Sequence, residues 1–176
     1  MYFRRFATSV ILVGVVAFLG LIGVAAESNT VDSHADPTID VGIVVEDLEA
    51  STEFYRDVVG MTQSRTIPIS EEFGSNSGLT DGQPTEIRVM TLGSGDDATE
   101  WKLMTFDDLP ERPEGETHIT DQIGMQYITI QVERMGPLLE RAEEHGFEPR
   151  GETPIPLGEE DHFALFQAPE GTFVEI

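Results

Sequence analysis

The chain has 176 residues with 33 acidic and 10 basic side chains, a formal net charge of −23 and no cysteine. This length suits one domain plus an extension. The negative charge argues against nucleic acid and anionic lipid as partners, because both would be repelled. Without cysteine there is no disulfide and no lipidated thiol, so the hydrophobic core alone must hold the domain together.

The first 26 residues predict a signal peptide or an N-terminal anchor. Arg4 and Arg5 precede an uncharged run over 10–26, which ends in Val24-Ala25-Ala26, and such a small-residue end is typical of a cleavable export signal. The run is also just long enough to span a bilayer, so contact with a membrane through residues 10–26 stays open if it is not cleaved. Either way the arginine pair stays inside and the domain is exported, to the periplasm or the outside of the cell.

Residues 27–38 are polar and aperiodic and predict a flexible linker before a domain over 39–176. Two similar units make up this domain, over 39–106 and 124–176. In each, a strand with one apolar face leads into an amphipathic helix that ends at a glycine, Gly60 or Gly146. The repeat of strand, helix and glycine indicates an internal duplication.

Smaller signals fill in the two units. Asp47 is placed to cap the first helix, and Pro137 lies in the first turn of the second. Three more strands are predicted after each helix, over 61–69, 85–92 and 98–105 and over 147–155, 162–168 and 172–176. Residues 70–84 and 107–123 are rich in turn formers and predict loops, the first a plain surface loop or a lid and the second a link between the units.

Residues 39–61 and the C-terminal APEGTFVEI resemble the two ends of a vicinal oxygen chelate domain, the superfamily of glyoxalase I, bleomycin-resistance proteins and extradiol dioxygenases. The specific parts are V-V-E-D-L-E-A-S-x-x-F-Y, then G-M after the first helix, and A-P-E-G-x-x-V-E-I. The resemblance covers about 39–176. It implies an α+β fold in which paired βαβββ units form a curved eight-stranded sheet cup, with the helices on its convex side.

The resemblance also implies four metal-ligand positions, commonly His, Glu, His and Glu, on the first and fourth strands of each unit. They correspond to Asp40, Lys102, Tyr127 and Glu175, and only Glu175 matches. A lysine about 4 Å from a divalent cation would oppose binding by roughly 8 kcal/mol at an effective dielectric constant near 20. We therefore expect no cofactor, with Lys102 replacing the metal between Asp40 and Glu175 and Tyr127 hydrogen-bonded to this cluster.

A shift of two residues along the fourth strand gives a second register. Glu100 would then take the position of Lys102, and Asp40, Glu100 and Glu175 would form an all-oxygen set together with Tyr127. Such a set suits magnesium, calcium or manganese better than zinc. Both registers stay open on the sequence.

Strand alternation predicts which side chains face the cup. The residues assigned to this concave face are Asp40, Glu86, Arg88, Met90, Glu100, Lys102, Tyr127, Thr129, Gln131, Phe173 and Glu175. Among them, the candidates for ligand binding are Arg88, Thr129 and Gln131, and the candidates for catalysis are Lys102, Tyr127 and Glu175. His118 and His162 are further candidates for the rim.

Three functions fit these features. The first is an exported binding protein that holds a small polar molecule in the cup without a metal, as bleomycin-resistance proteins do. The second is a metal-dependent lyase, isomerase or dioxygenase of the glyoxalase or extradiol dioxygenase type, in which a divalent metal polarises vicinal oxygens of the substrate. The third is a metal-free enzyme in which Lys102 stabilises an oxyanion and Tyr127 or Glu175 moves a proton. The resemblance also allows a homodimer.

Overall fold

The fold is given by a computed structural model that describes residues 38–95, 98–110, 115, 118–158 and 161–176. The predicted signal peptide or anchor lies outside these residues, as does the predicted linker up to residue 37. In the described part of the chain, no helix combines the length and the hydropathy that a membrane crossing needs.

A four-stranded sheet forms the first unit. Its strands are β1 (Val41–Val44), β2 (Thr62–Ile69), β3 (Thr85–Leu92) and β4 (Thr99–Met104). Their order is β1-β4-β3-β2, with β1 parallel to β4 and the other neighbours antiparallel. This is the connectivity that the sequence predicts for a βαβββ unit.

The helix of the first unit begins and ends where its sequence signals indicate. The Asp47 carboxylate accepts hydrogen bonds of 3.0 and 2.9 Å from two backbone N–H groups of the first turn. Helix α1 (Leu48–Glu53) then continues as a π-helical segment over Phe54–Val59. It ends at Gly60, whose φ of +93° lies in the region that favours glycine. Both the predicted cap and the predicted end are confirmed.

The second unit repeats this plan with a smaller sheet. Strand β5 (Tyr127–Thr129) runs parallel to β9 (Phe173–Glu175), which pairs antiparallel with β8 (Leu165–Gln167). Helix α3 (Gly136–Glu144) follows β5. Strands β6 (Ile155–Leu157) and β7 (Asp161–Phe163) form a separate hairpin.

Both units contribute to one hydrophobic core. Phe54, for example, packs edge-on against Phe147 of the second unit at a ring-centroid distance of 4.9 Å. Arg141 of α3 donates to the backbone carbonyl of Val58 from Nε and Nη2, at 3.2 and 2.9 Å. The units therefore pack against each other within this chain, and the helix of one satisfies a carbonyl group at the helix end of the other.

The α+β class is confirmed, but the strands do not join into a single eight-stranded sheet. Among the described residues they divide into sheets of four, three and two strands. The predicted strand over 147–155 is wrong except for its last residue, Ile155, which begins β6. Pro149 and Pro154 carry no N–H for a sheet ladder, and Gly151 has a φ of +66°.

The predicted loop over 70–84 contains a short helix, α2 (Glu71–Ser77). The Ser70 hydroxyl caps it by accepting a 3.1 Å hydrogen bond from the backbone N–H of Phe73. The helix ends at Gly78, with a φ of +71°. A capping serine followed by two glutamates is a helix-start signal, so the sequence contained this element.

Candidate functional site

Strand register decides which side chains of the first sheet face the cup. Trp101 and Leu103 of β4 are buried in the core, on the helix side. In the β3–β4 pairing Arg88 lies opposite Leu103, and Met90 lies opposite Trp101. Paired residues of antiparallel strands point to the same face, so these two also lie on the helix side. The predicted concave placement of Glu86, Arg88 and Met90 is therefore wrong.

The physical reason is that β3 is apolar on both faces. Ile87 and Val89 point to the other side of the sheet, where they form a second buried cluster with Ile69 and Met104. An alternation of charged and apolar residues therefore does not identify the cup face of this strand. Partner register identifies it, and register is a property of the folded sheet.

Arg88 is engaged by α1 and does not face the cup. Its Nη1 donates to the Thr52 hydroxyl and its Nη2 to the Glu49 carboxylate, both at 2.7 Å. The hydrogen bond and the charge of Arg88 lower the pKa of Glu49. The guanidinium thus fastens the helix to the sheet, and a role in holding a ligand does not fit this position.

Lys102 sits in a network of charges on the concave face of the first sheet. Its Nζ lies 2.7 Å from Asp40 Oδ2 and 3.5 Å from Glu100 Oε2. Arg65 forms a two-pronged ion pair with Glu100, in which Nη2 donates to Oε2 at 2.8 Å. The Arg65 hydrogen bonds, aided by the charges of Arg65 and Lys102, lower the pKa of Glu100. They outweigh its partial burial, which acts to raise the pKa. Two cations thus neutralise two carboxylates here.

Glu175 belongs to a different cluster, on the second sheet. Its Oε2 accepts a 3.0 Å hydrogen bond from the Thr129 hydroxyl, which lies opposite it in the β5–β9 pairing. The expected contact of Lys102 with Asp40 is present, whereas its expected contact with Glu175 is not formed within the described residues. Tyr127 is half exposed, and among the described residues no hydrogen bond joins it to Lys102, Asp40 or Glu175. The four positions lie in two groups, one on each sheet.

A cavity of about 590 Å³ is lined by residues of the second unit and of the segment before it. Tyr127 and Glu175, both predicted as site residues, line it, whereas Lys102 does not. The other lining residues are His118, Ile119, Thr120, Arg150, Gly151, Thr153, Phe163 and Leu165. Its walls are mainly apolar, with an imidazole, a guanidinium and a carboxylate at separate points. Cavities of this size hold small molecules in many proteins.

Several of these lining residues were not predicted from the sequence. Phe163 and Leu165 carried a signal, since they alternate with Ala164 and Phe166 across the two faces of the seventh predicted strand. Arg150 carried none, because it lies in a segment without regular structure. His118 was a candidate for the rim and does line the cavity.

A second cavity of about 500 Å³ shares Glu175 with the first, since this residue lines both. Thr129 and Gln131, the remaining predicted ligand-binding residues, line this second cavity together with His162. Glu133 and Asp161 add two carboxylates to its wall. Four of the predicted site residues, Tyr127, Thr129, Gln131 and Glu175, therefore line two cavities that share Glu175.

The residues at the implied metal positions do not fit a metal. Asp40 and Glu100 are held by Lys102 and Arg65, and a cation would have to displace both. Asp40, Glu100 and Glu175 also do not converge: in the described part of the chain, the only three-residue group with ligand atoms within 4.8 Å of one another lies elsewhere. The all-oxygen register is therefore not assembled in this structure.

The loop before β9, the strand that carries Glu175, is tied to the helix of the first unit. Glu170 in that loop accepts a 2.5 Å hydrogen bond from the Tyr55 hydroxyl and a 2.9 Å hydrogen bond from Ser51. Both donors belong to the helix of the first unit and are buried. Burial, followed by the charge of Glu170, raises the pKa of Tyr55 well above its usual value. The phenol thus remains a donor to the carboxylate.

Comparison with solved structures shows the same fold in glyoxalase-type proteins. A glyoxalase family protein from Bacillus cereus matches with a TM-score of 0.64 and 23% identity, covering 81% of this chain and 94% of that one. The trypanothione-dependent glyoxalase I of Leishmania major matches with a TM-score of 0.55 and 19% identity, covering 78% and 83%. A glyoxalase family protein from Enterococcus faecalis matches with a TM-score of 0.52 and 17% identity, covering 78% and 92%.

These identities are low, so the structural matches establish the fold alone. A comparison with curated proteins finds no similar sequence. The family model of the Glyoxalase/Bleomycin resistance protein/Dioxygenase superfamily matches residues 36–176, which include both units and every element described above. The sequence motifs, the paired units and this match agree, and the chain belongs to that superfamily.

Proposed function

We propose that this domain is an exported small-molecule-binding protein whose cup works without the divalent metal of related enzymes. The observation that carries the proposal is the pairing of a cavity of about 590 Å³ with a metal position filled by ion pairs. The cavity provides space for a ligand, and on the first sheet Lys102 and Arg65 neutralise the carboxylates that would otherwise be open to a metal.

The cavity lining supports a ligand with an apolar body and a polar end. Phe163, Leu165 and Ile119 offer apolar contact, which favours an aromatic or aliphatic skeleton. Arg150 and Glu175 add a cationic and an anionic group within the same wall. The sequence alone suggested a small polar molecule, and the apolar walls extend that hypothesis to an amphipathic one.

The cavity can be tested with a fluorescent probe of this chemistry, 8-anilinonaphthalene-1-sulfonate, titrated into the folded full chain. Leu165→Trp places an indole ring in the cavity. It should weaken probe binding by about tenfold or more, since the indole and the probe cannot occupy the same space. Leu79→Trp is the matched control, because Leu79 is exposed and lines neither cavity. Equal probe binding by the two variants would contradict the proposed site.

Metal independence is tested in the same titration. Because Lys102 and Arg65 already neutralise Asp40 and Glu100, treatment with EDTA should leave probe binding unchanged. A loss of binding on chelation that zinc or magnesium restores would show that the cup requires a metal. That result would favour the metal-dependent enzyme instead.

Export is supported by the arginine pair and the uncharged run that follows it. Mass spectrometry of the full chain expressed in a bacterium should find a mature protein beginning near Glu27, in the exported fraction. Retention in the membrane fraction would indicate the anchor, and an uncleaved chain in the cytoplasm would contradict export.

A further inference from the structure

Glu53, Asp57 and His145 form a cluster on the helix side of the domain, away from the cup. Each offers one ligand atom, and these three atoms all lie within 4.8 Å of one another. His145 Nδ1 is 2.9 Å from Glu53 Oε1. From this geometry we propose that the cluster binds a transition-metal dication such as zinc, at a site that joins the two units.

The chemistry of the three donors fits such an ion. An imidazole nitrogen with two carboxylate oxygens is a set that zinc accepts in sites with three protein ligands and one open position. Tetrahedral bonds of about 2.1 Å hold ligand atoms about 3.4 Å apart, so side-chain movements of up to about 1.4 Å close the site. A set containing nitrogen also favours zinc, nickel or copper over magnesium and calcium.

The backbone brings the three side chains together from distant parts of the sequence. Glu53 is the last residue of α1, and Asp57 lies four residues later in the π-helical segment, so both project from the same side. His145 follows the last residue of α3 in the second unit. These helix ends are already packed, since Arg141 of α3 binds the carbonyl of Val58. A metal would therefore link two elements that are in place without it.

Solvent can reach the cluster, and the charge of the protein favours cations. The side chains of Glu53, Asp57 and His145 are 48%, 25% and 32% exposed. The chain as a whole carries a formal charge of −23, which raises the local concentration of dications. Two contacts oppose binding: the hydrogen bond between His145 Nδ1 and Glu53 must open, and Arg56 forms a two-pronged ion pair with Asp57. Arg56 is half exposed, so releasing this pair costs little.

Zinc titration of the chelator-treated full chain tests the proposal, by isothermal calorimetry and by the zinc-dependent rise in melting temperature. Binding should saturate at one ion per chain and raise the melting temperature, because the folded site binds the ion. His145→Ala should weaken it by about tenfold or more, since one of three ligands is lost. Glu53→Gln should weaken it as well, whereas Arg56→Ala should strengthen it by freeing Asp57.

His162→Ala is the matched control, because His162 is an exposed histidine that lines a cavity elsewhere. It should leave zinc binding within about twofold of the original. His145→Ala also removes the contact with Glu53 and so changes stability without zinc. The deciding quantity is therefore the rise in melting temperature that zinc adds to each variant. Absence of saturable binding, or equal binding by His145→Ala and the original chain, would overturn the proposal.

Discussion

The hydrogen bond from Tyr55 to Glu170 provides a direct test of how the two units are held together. Tyr55→Phe removes only the hydroxyl group that donates the 2.5 Å hydrogen bond, and the ring remains in the core. Hydrogen bonds to charged groups contribute about 1.5–3 kcal/mol. Ser51 still donates to the same carboxylate after the change. We therefore expect the free energy of unfolding to fall by about 2 kcal/mol.

The assay is urea unfolding at neutral pH, followed by the fluorescence of Trp101 and by circular dichroism. A loss of about 2 kcal/mol corresponds to a decrease in melting temperature of roughly 4–8 °C for a domain of this size. Tyr127→Phe is the matched control, since the Tyr127 side chain is 48% exposed. It should change the free energy of unfolding by no more than about 0.5 kcal/mol.

A double-mutant cycle with Glu170→Gln isolates the interaction from other effects of each change. The coupling energy should be about 1 kcal/mol or more, because the two groups are in direct contact. If Tyr55→Phe is no more destabilising than Tyr127→Phe, or if the coupling energy is zero, the hydrogen bond does not stabilise the contact between the two units and the reasoning fails.

The pH dependence of the unfolding free energy provides a second test of the environment of Tyr55. The folded-state pKa of Tyr55 is raised above that of an unfolded tyrosine, by burial and by the charge of Glu170. Its contribution is therefore fully present below the unfolded pKa of about 10 and is lost as the pH rises above that value. The original chain should lose stability between about pH 10 and 11 more steeply than Tyr55→Phe does.

Two further predictions concern other parts of the fold. Ion pairing lowers the folded-state pKa of Glu100. The stability that this carboxylate contributes is therefore present above the unfolded pKa of about 4.3 and is lost as the pH falls below it. Glu100→Gln should flatten the fall in unfolding free energy between pH 6 and pH 3, and a change no larger than that of the exposed Glu86→Gln would contradict this. Gly60→Ala should lower the free energy of unfolding in urea by about 1–2 kcal/mol, because φ is +93° at this position. Gly136→Ala should be nearly neutral, because φ is not positive there and no atom lies within 4 Å of the added Cβ. Equal effects of the two changes would show that backbone strain at Gly60 is not the cause.

Local signals predicted the first strand of the first unit and both ends of the helix that follows it. The cap at Asp47, the glycine at 60 and the alternation in β1 each depend on a few neighbouring residues, and the structure shows all three. The same kind of signal occurs at α2, where Ser70 precedes two glutamates. Elements of this kind are readable because backbone capping and left-handed turns have short-range chemical requirements.

The candidate site was only partly predictable. The proximity of Lys102 to Asp40 was expected, and the structure shows it. The separation of both from Glu175 was not expected, because it depends on how two sheets lie relative to each other. The predicted face of Arg88 is wrong for a related reason. Strand β3 has apolar residues on both sides, so its alternation does not show which side faces the helices.

By itself, the sequence determined the paired units, their helix boundaries and the absence of histidine at the two positions where related metalloenzymes carry it. Only the tertiary structure decided that two cations neutralise Asp40 and Glu100, that Tyr127 and Glu175 share a cavity with Arg150, and that His145 meets Glu53 and Asp57. Helix and turn signals act over a few residues. A cavity or an ion cluster is assembled from residues as far as 92 positions apart, and their distances are set by strand register and helix packing.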